Sequence, residues 1–144
     1  MKRRSFLGSV GLAAFAGCVG DGGGSSSTTI TDAELQVEGI GSGEQIDDAT
    51  VSVADGTVTV EGTIWGPNGC ATAELDSADY DADSDELTVA VATTRREDAG
   101  DVCTQAIVEI EYRASVSVEG SSPGTVLVTH DHGDGPGQVT SASP

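Results

Sequence analysis

The stretch from Thr50 to Glu61 reads Thr-Val-Ser-Val-Ala-Asp-Gly-Thr-Val-Thr-Val-Glu, with valine at every second position on either side of Asp55-Gly56. A strict period of two is the signature of a strand with one buried face, and it is incompatible with an amphipathic helix. Asp-Gly suits the two-residue hairpin turn in which both central residues take positive φ. Folding about that turn sets Val53 opposite Val58 and Val51 opposite Val60, so all four valines share one face. Turn chemistry and hydrophobic pattern therefore predict the same register.

The same alternation runs through most of the chain after Asp32. A second hairpin is predicted around Asp83-Ser84, pairing Tyr80 with Leu87 and Ala78 with Val89. The preceding Ala71, Ala73 and Leu75 lie on the opposite parity, which requires a bulge near Asp76-Ser77. A long strand keeps one parity through Ala106, Val108, Ile110, Tyr112, Ala114, Val116 and Val118, so it either bends or serves two sheets. A last strand spans Gly124 to Thr129. The expected fold is all-β: an antiparallel sandwich of immunoglobulin-like architecture, about seven or eight strands, with one disulfide. The immunoglobulin family itself is not indicated. Asp101 stands two places before Cys103 where that family has tyrosine, and the single tryptophan, Trp65, precedes Cys70.

Composition enters through charge. The 144 residues carry 24 acids and 6 bases, a net charge of −18, and aromatics make up only 3%. The core must therefore be built from Val, Ile, Leu and Ala. A surface this acidic argues against nucleic acid, which needs a basic patch. The charge is unevenly distributed. Lys2, Arg3 and Arg4 open the chain, no acid precedes Asp21, and the rest holds 24 acids against three arginines, or −21.

The basic start is followed by an apolar run from Phe6 to Gly17. A membrane-crossing helix needs about 20 apolar residues, so this run of twelve is too short to span. A charged start, a short apolar run and small residues before a break read as a cleaved signal over residues 1–17. Arg3-Arg4-Ser5-Phe6-Leu7 resembles the twin-arginine export motif, carried by Arg3, Arg4, Phe6 and Leu7. That resemblance implies export of an already folded protein. Phe15-Ala16-Gly17-Cys18 resembles a lipobox with Phe in place of the usual Leu, which implies that Cys18 becomes the lipidated N-terminus. Residues 18–31, rich in Gly, Ser and Thr, read as a flexible tether.

Three cysteines leave one odd in an exported protein. With Cys18 lipidated, Cys70 and Cys103 remain as a disulfide pair, which persists outside the cytoplasm. A metal or redox pair would favour a close Cys-x-x-Cys spacing, which is absent.

The acid-rich, nearly lysine-free composition resembles exported lipoproteins of extremely halophilic archaea. The resemblance covers residues 1–18 by motif and the rest by composition. In molar salt the Debye length is about 3 Å, so like charges on neighbouring strands repel weakly. The expected organisation is a signal over 1–17, a lipidated tether over 18–31, a sandwich over 32–132, and a loose Gly/Pro/Ser/Thr-rich tail over 133–144.

Chemical motifs are sparse. No nucleophile elbow, zinc-protease helix or phosphate-binding loop occurs, so neither an enzyme nor a cofactor is expected. His130, His132 and Asp134 are weak metal candidates, because alternate residues of an extended segment face one way. Arg95 and Arg96 are either local charge compensation for Glu97 and Asp98 or a contact for an anion or partner. Trp65, before the Gly66–Gly69 turn, either packs on the disulfide or serves recognition at a sandwich end. The expected function is a monomeric binding or scaffolding domain, lipid-anchored on the extracellular face of the cell membrane, with an unknown surface protein or small ligand as partner. The alternative is a small metal- or solute-binding lipoprotein that passes cargo to a membrane partner.

Overall fold

The computed structural model describes residues 28–144. The export motif (Arg3, Arg4, Phe6, Leu7), Cys18 and most of the tether lie outside the described residues.

Eight strands follow in order: β1 (Thr28–Ser42), β2 (Asp48–Ala54), β3 (Thr57–Gly66), β4 (Ala71–Asp81), β5 (Glu86–Arg95), β6 (Val108–Gly120), β7 (Thr125–Asp131) and β8 (Pro136–Ala142). They form two four-stranded sheets, β1-β6-β3-β2 and β4-β5-β7-β8, packed as a β-sandwich. The β2–β3 hairpin has the predicted register: Val53 pairs with Val58 and Val51 with Val60. Asp55 and Gly56 take φ of 53° and 78°, the positive pair that this turn demands. In the β4–β5 hairpin Tyr80 pairs with Leu87 and Ala78 with Val89, and the register shifts between Leu75 and Ser77. That bulge moves the buried parity from Ala71 and Ala73 to Ala78 and Tyr80, as the sequence requires.

The long strand β6 neither splits between sheets nor begins at Ala106. It runs through the middle of the first sheet, between β1 and β3. Two bulges, between Ile30 and Asp32 and between Val37 and Gly39, each place one extra residue on β1 and so fit its 15 residues against the 13 of β6. The second sheet is mixed, since β5 and β7 pair in parallel. The reason is topological: β6, which intervenes, returns through the opposite sheet, so β7 re-enters in the direction of β5.

The core is aliphatic. Val58, Val60, Ile64, Leu87, Val89, Val91, Ile110, Ala114, Val116, Val126 and Val128 are fully buried. Tyr112 is the one aromatic among them, at 2% exposure, and His130 is equally buried.

Two expected boundaries are corrected. The sandwich begins at Thr28, not Asp32, so the end of the proposed tether is strand. The tail from Gly133 is not loose: β8 pairs with β7 from Asp131↔Pro136 to Val126↔Ala142. The Gly133–Gly135 segment is a turn. The Asp131 carboxylate accepts from the amides of Gly133 and Gly135 at 2.7 and 3.1 Å, and both glycines have φ of 107°. Gly and Pro here mark a hairpin where they suggested the end of the fold.

Register also manages the acidity. In the first sheet no carboxylate faces another directly: Glu109, Glu111 and Glu119 lie opposite Gly41, Gly39 and Thr29 on β1. Arg113 sits between Gln36 and Glu61, and binds Glu61 at 3.3 Å. Direct cross-strand repulsion is thereby avoided in this sheet, while in the second sheet Asp81 faces Glu86 beside the β4–β5 turn, so both that pair and the longer-range repulsion are left for salt to screen. The thermal midpoint should therefore rise steadily between 0.1 and 3 M KCl. A midpoint indifferent to salt would remove the halophilic reading of this surface.

Candidate functional site at one end of the sandwich

The polar side chains that the fold brings together lie where β3 and β7 end and β2 begins. Tyr112 points inward from β6, opposite Gly62 on β3. Glycine is required at that point. A Cβ on Gly62 would stand 2.5 Å from the Asp48 carbonyl oxygen and 2.7 Å from the Tyr112 hydroxyl. Tyr112 reaches across the sandwich to His130 on β7, with Oη 2.7 Å from Nε2. On its other side, His130 Nδ1 lies 2.8 Å from Asp47 Oδ1. The same oxygen is 2.9 Å from His132 Nε2. The Trp65 ring stacks on His132, with centroids 4.4 Å apart and planes 19° apart.

One proton arrangement satisfies every partner. An ionised carboxylate only accepts, so His130 Nδ1 and His132 Nε2 both carry hydrogen and donate to Asp47. A neutral His130 then accepts at Nε2 from the Tyr112 hydroxyl. Burial holds the His130 imidazole below its ordinary value, against the opposing pull of the Asp47 carboxylate. The charge of His132 acts in the same direction as burial, and Asp48 opposes it. Burial, followed by the Asp47 and Asp48 carboxylates, pushes the Tyr112 hydroxyl above its ordinary range. The Tyr112–His130–Asp47 series has the order of a nucleophile with its base and orienter, with its hydroxyl on a side chain that is 2% exposed. The network acts as a polar cross-link between the two sheets.

The expected set of His130, His132 and Asp134 is not brought together. Asp134 stays exposed in the β7–β8 turn, and the two imidazoles converge on Asp47. Among the described residues no group of three or more His, Cys, Asp or Glu is disposed to hold a metal ion.

The remaining candidates lie around the disulfide. Cys70 and Cys103 are bonded, with Cα atoms 5.4 Å apart. Arg95 donates to Cys103 Sγ at 3.4 Å and to the Gly100 carbonyl. Arg96 donates to the Gly69 carbonyl at 2.5 Å and pairs with Asp98 at 3.4 Å. Both arginines thus bond to the chain around the disulfide, and of the two only Arg96 pairs with an acid. Arg96 compensates Asp98, one of the two acids named. Trp65 stacks on His132, which is neither of the two placements expected of it.

Nothing in the sequence marks Asp47 or Tyr112 as a site residue. Tyr112 is legible as core from its parity. Asp47 is one of many acids, and nothing in its surroundings along the chain marks it.

No curated protein and no solved structure matches the chain significantly. A family model described as the ORF11 beta-sandwich domain matches residues 58–140. The match runs from within β3 to within β8 and takes in Trp65, both cysteines of the disulfide, Tyr112, His130 and His132. β1, β2 and Asp47 fall outside it. With more than half of its length matched, and with the sandwich architecture described above, this chain belongs to the ORF11 β-sandwich domain family.

Proposed function

We propose that the chain is an exported lipoprotein whose sandwich is held on the outer face of the cell membrane and serves there as a non-catalytic binding or scaffolding module. The observation that carries this reading is the Cys70–Cys103 disulfide. Such a bond persists in oxidising compartments and is rare in the cytosol. It also accounts for two of the three cysteines. The third, Cys18, stands directly after the apolar run, where a lipid anchor would attach. The twin arginines suit a domain that is exported folded, and the acidic surface suits saline surroundings. The sandwich end where Trp65 stacks on His132 is the most individual part of the surface, and we assign binding to that end.

The test is Cys18→Ser expressed in a haloarchaeal host. The wild-type protein should fractionate with membranes and carry a lipid mass adduct. The variant should appear without that adduct, in the soluble or secreted fraction, because each buried CH₂ of an anchor contributes about 0.8 kcal/mol to membrane retention. A variant that stays on the membrane at unchanged mass would overturn the anchor.

A further inference from the structure

The strand registers sort the connections of the sandwich into two opposite ends. Ser42, Gly66 and Val108 stand together at one end of the first sheet, and Ala71 pairs with Arg95 at the same end of the second. The Asp47–His130 and Trp65–His132 contacts join the two sheets there. Thr28 lies at the other end, paired with Gly120 and donating its hydroxyl to the Ser121 carbonyl at 2.6 Å. β6 runs between the two ends with 13 residues, a span of about 40 Å.

The end far from Thr28 differs from the rest of the surface. Among the described residues the exposed large apolar side chains are Ile40 at 39%, Ile46 at 36% and Val102 at 89%. All three lie at the far end: Ile40 two residues before β1 stops, Ile46 in the 43–47 connection, and Val102 in the 96–107 segment. Trp65, next to last in β3, adds a half-buried ring. Apolar side chains scattered singly over a surface need no explanation, but here they are confined to one end of a chain with 24 acids. Val102 is not on a loose loop. Its neighbour Cys103 is bonded to Cys70, the Thr104 carbonyl accepts from the Gly69 amide at 3.0 Å, and Arg95 holds the Gly100 carbonyl. An apolar group fixed in the open beforehand costs less ordering when a partner covers it.

We propose that this far end is the contact site for another extracellular protein, one whose surface presents apolar side chains within a rim of Lys or Arg. The proposal deepens the anchored-module reading and rests on it. Glu44, Glu97, Asp101 and Asp134 are exposed on the same connections. Arg95 and Arg96 are taken up by their own chain. The complementary charge must therefore come from the partner. In molar salt the Debye length is about 3 Å, so those bases must sit against the acids themselves. A second copy supplies no such rim, since no lysine follows Lys2 and Arg113 is bound to Glu61. A bilayer is disfavoured by reach. Ten peptide steps from Cys18 to Thr28 cover about 35 Å at full extension. That is shorter than the sandwich, so the domain cannot be upended to set its far end squarely on the membrane that holds Cys18.

The test places a benzophenone amino acid at Val102, or at Ala82 in the exposed β4–β5 turn of the opposite end, in the full chain. Haloarchaeal cells making either protein are irradiated in their growth medium. Position 102 should give a discrete protein adduct whose linked peptide carries apolar residues beside Lys or Arg, and position 82 should give none. Adding Ile46→Glu to the 102 protein should lower the adduct about tenfold at an unchanged melting midpoint, because the contact would bury an unpaired carboxylate. No adduct from 102, an equal adduct from 82, an adduct with lipid, or one with a second copy alone would overturn the proposal. So would an adduct indifferent to Ile46→Glu. Fractionation of the same cells keeps the anchor separate. A membrane-bound chain with no adduct from 102 fails this proposal and leaves the anchor standing, and a released chain that still gives the adduct does the reverse.

Discussion

A Cys70→Ala/Cys103→Ala double variant is expected to lose about 3–4 kcal/mol of folding stability, from the entropy of opening a loop between residues 33 apart. For a domain of this size that corresponds to a fall in the melting midpoint on the order of 15 °C or more. The effect should appear mainly as global destabilisation, because the disulfide is tied into the sheets. The Arg96 amide donates to the Cys70 carbonyl at 2.8 Å, and the Gly69 amide to the Thr104 carbonyl at 3.0 Å. Cys70 is 3% exposed and Ala71, the first residue of β4, is 2% exposed. Calorimetry in molar salt, with and without reductant, provides the check. A midpoint unchanged by reduction would mean that the 96–107 segment can detach at no cost to the sandwich. The disulfide would then be a local staple, with no part in overall stability.

Gly62→Ala should destabilise by about 1–3 kcal/mol, the usual cost of overpacking a filled site. The sign is the informative part. Alanine normally improves on glycine within a strand by reducing the freedom of the unfolded chain. Here the new methyl would meet the Asp48 carbonyl at 2.5 Å and the Tyr112 ring and hydroxyl at under 3 Å. Tyr112 has nowhere to retreat, since it is buried and held by His130. The variant should also disturb the imidazole network, giving altered His130 ring resonances as well as a lower melting midpoint. A neutral or stabilising Gly62→Ala would show that Tyr112 is not held where the network requires it.

Local rules carried much of the fold. The β2–β3 and β4–β5 registers, including the bulge after Leu75, follow from parity and turn residues, because strand side chains alternate faces and a one-residue slip would expose a whole buried row. The disulfide is legible once Cys18 is read as the odd cysteine of the three, which leaves Cys70 and Cys103 as the pair. Other features depended on partners distant in sequence. The Gly133–Gly135 stretch has the composition of a tail, and only its pairing partner on β7 makes the following residues a strand. The parallel β5–β7 pair depends on which sheet accepts β6, and no local pattern states that.

The alternating strands, their hairpin turns and an aliphatic core are all legible in the order of residues along the chain. Each of these is set by neighbours along the chain or by composition. The tertiary structure alone decided the site. Asp47, Tyr112 and His130 come from the β1–β2 connection, β6 and β7, and Asp47 and His130 are 83 positions apart in sequence. Their shared hydrogen bonds exist only once the two sheets are stacked. Burial then does what no sequence pattern encodes: it removes water from one histidine and leaves a tyrosine and a single carboxylate to satisfy it.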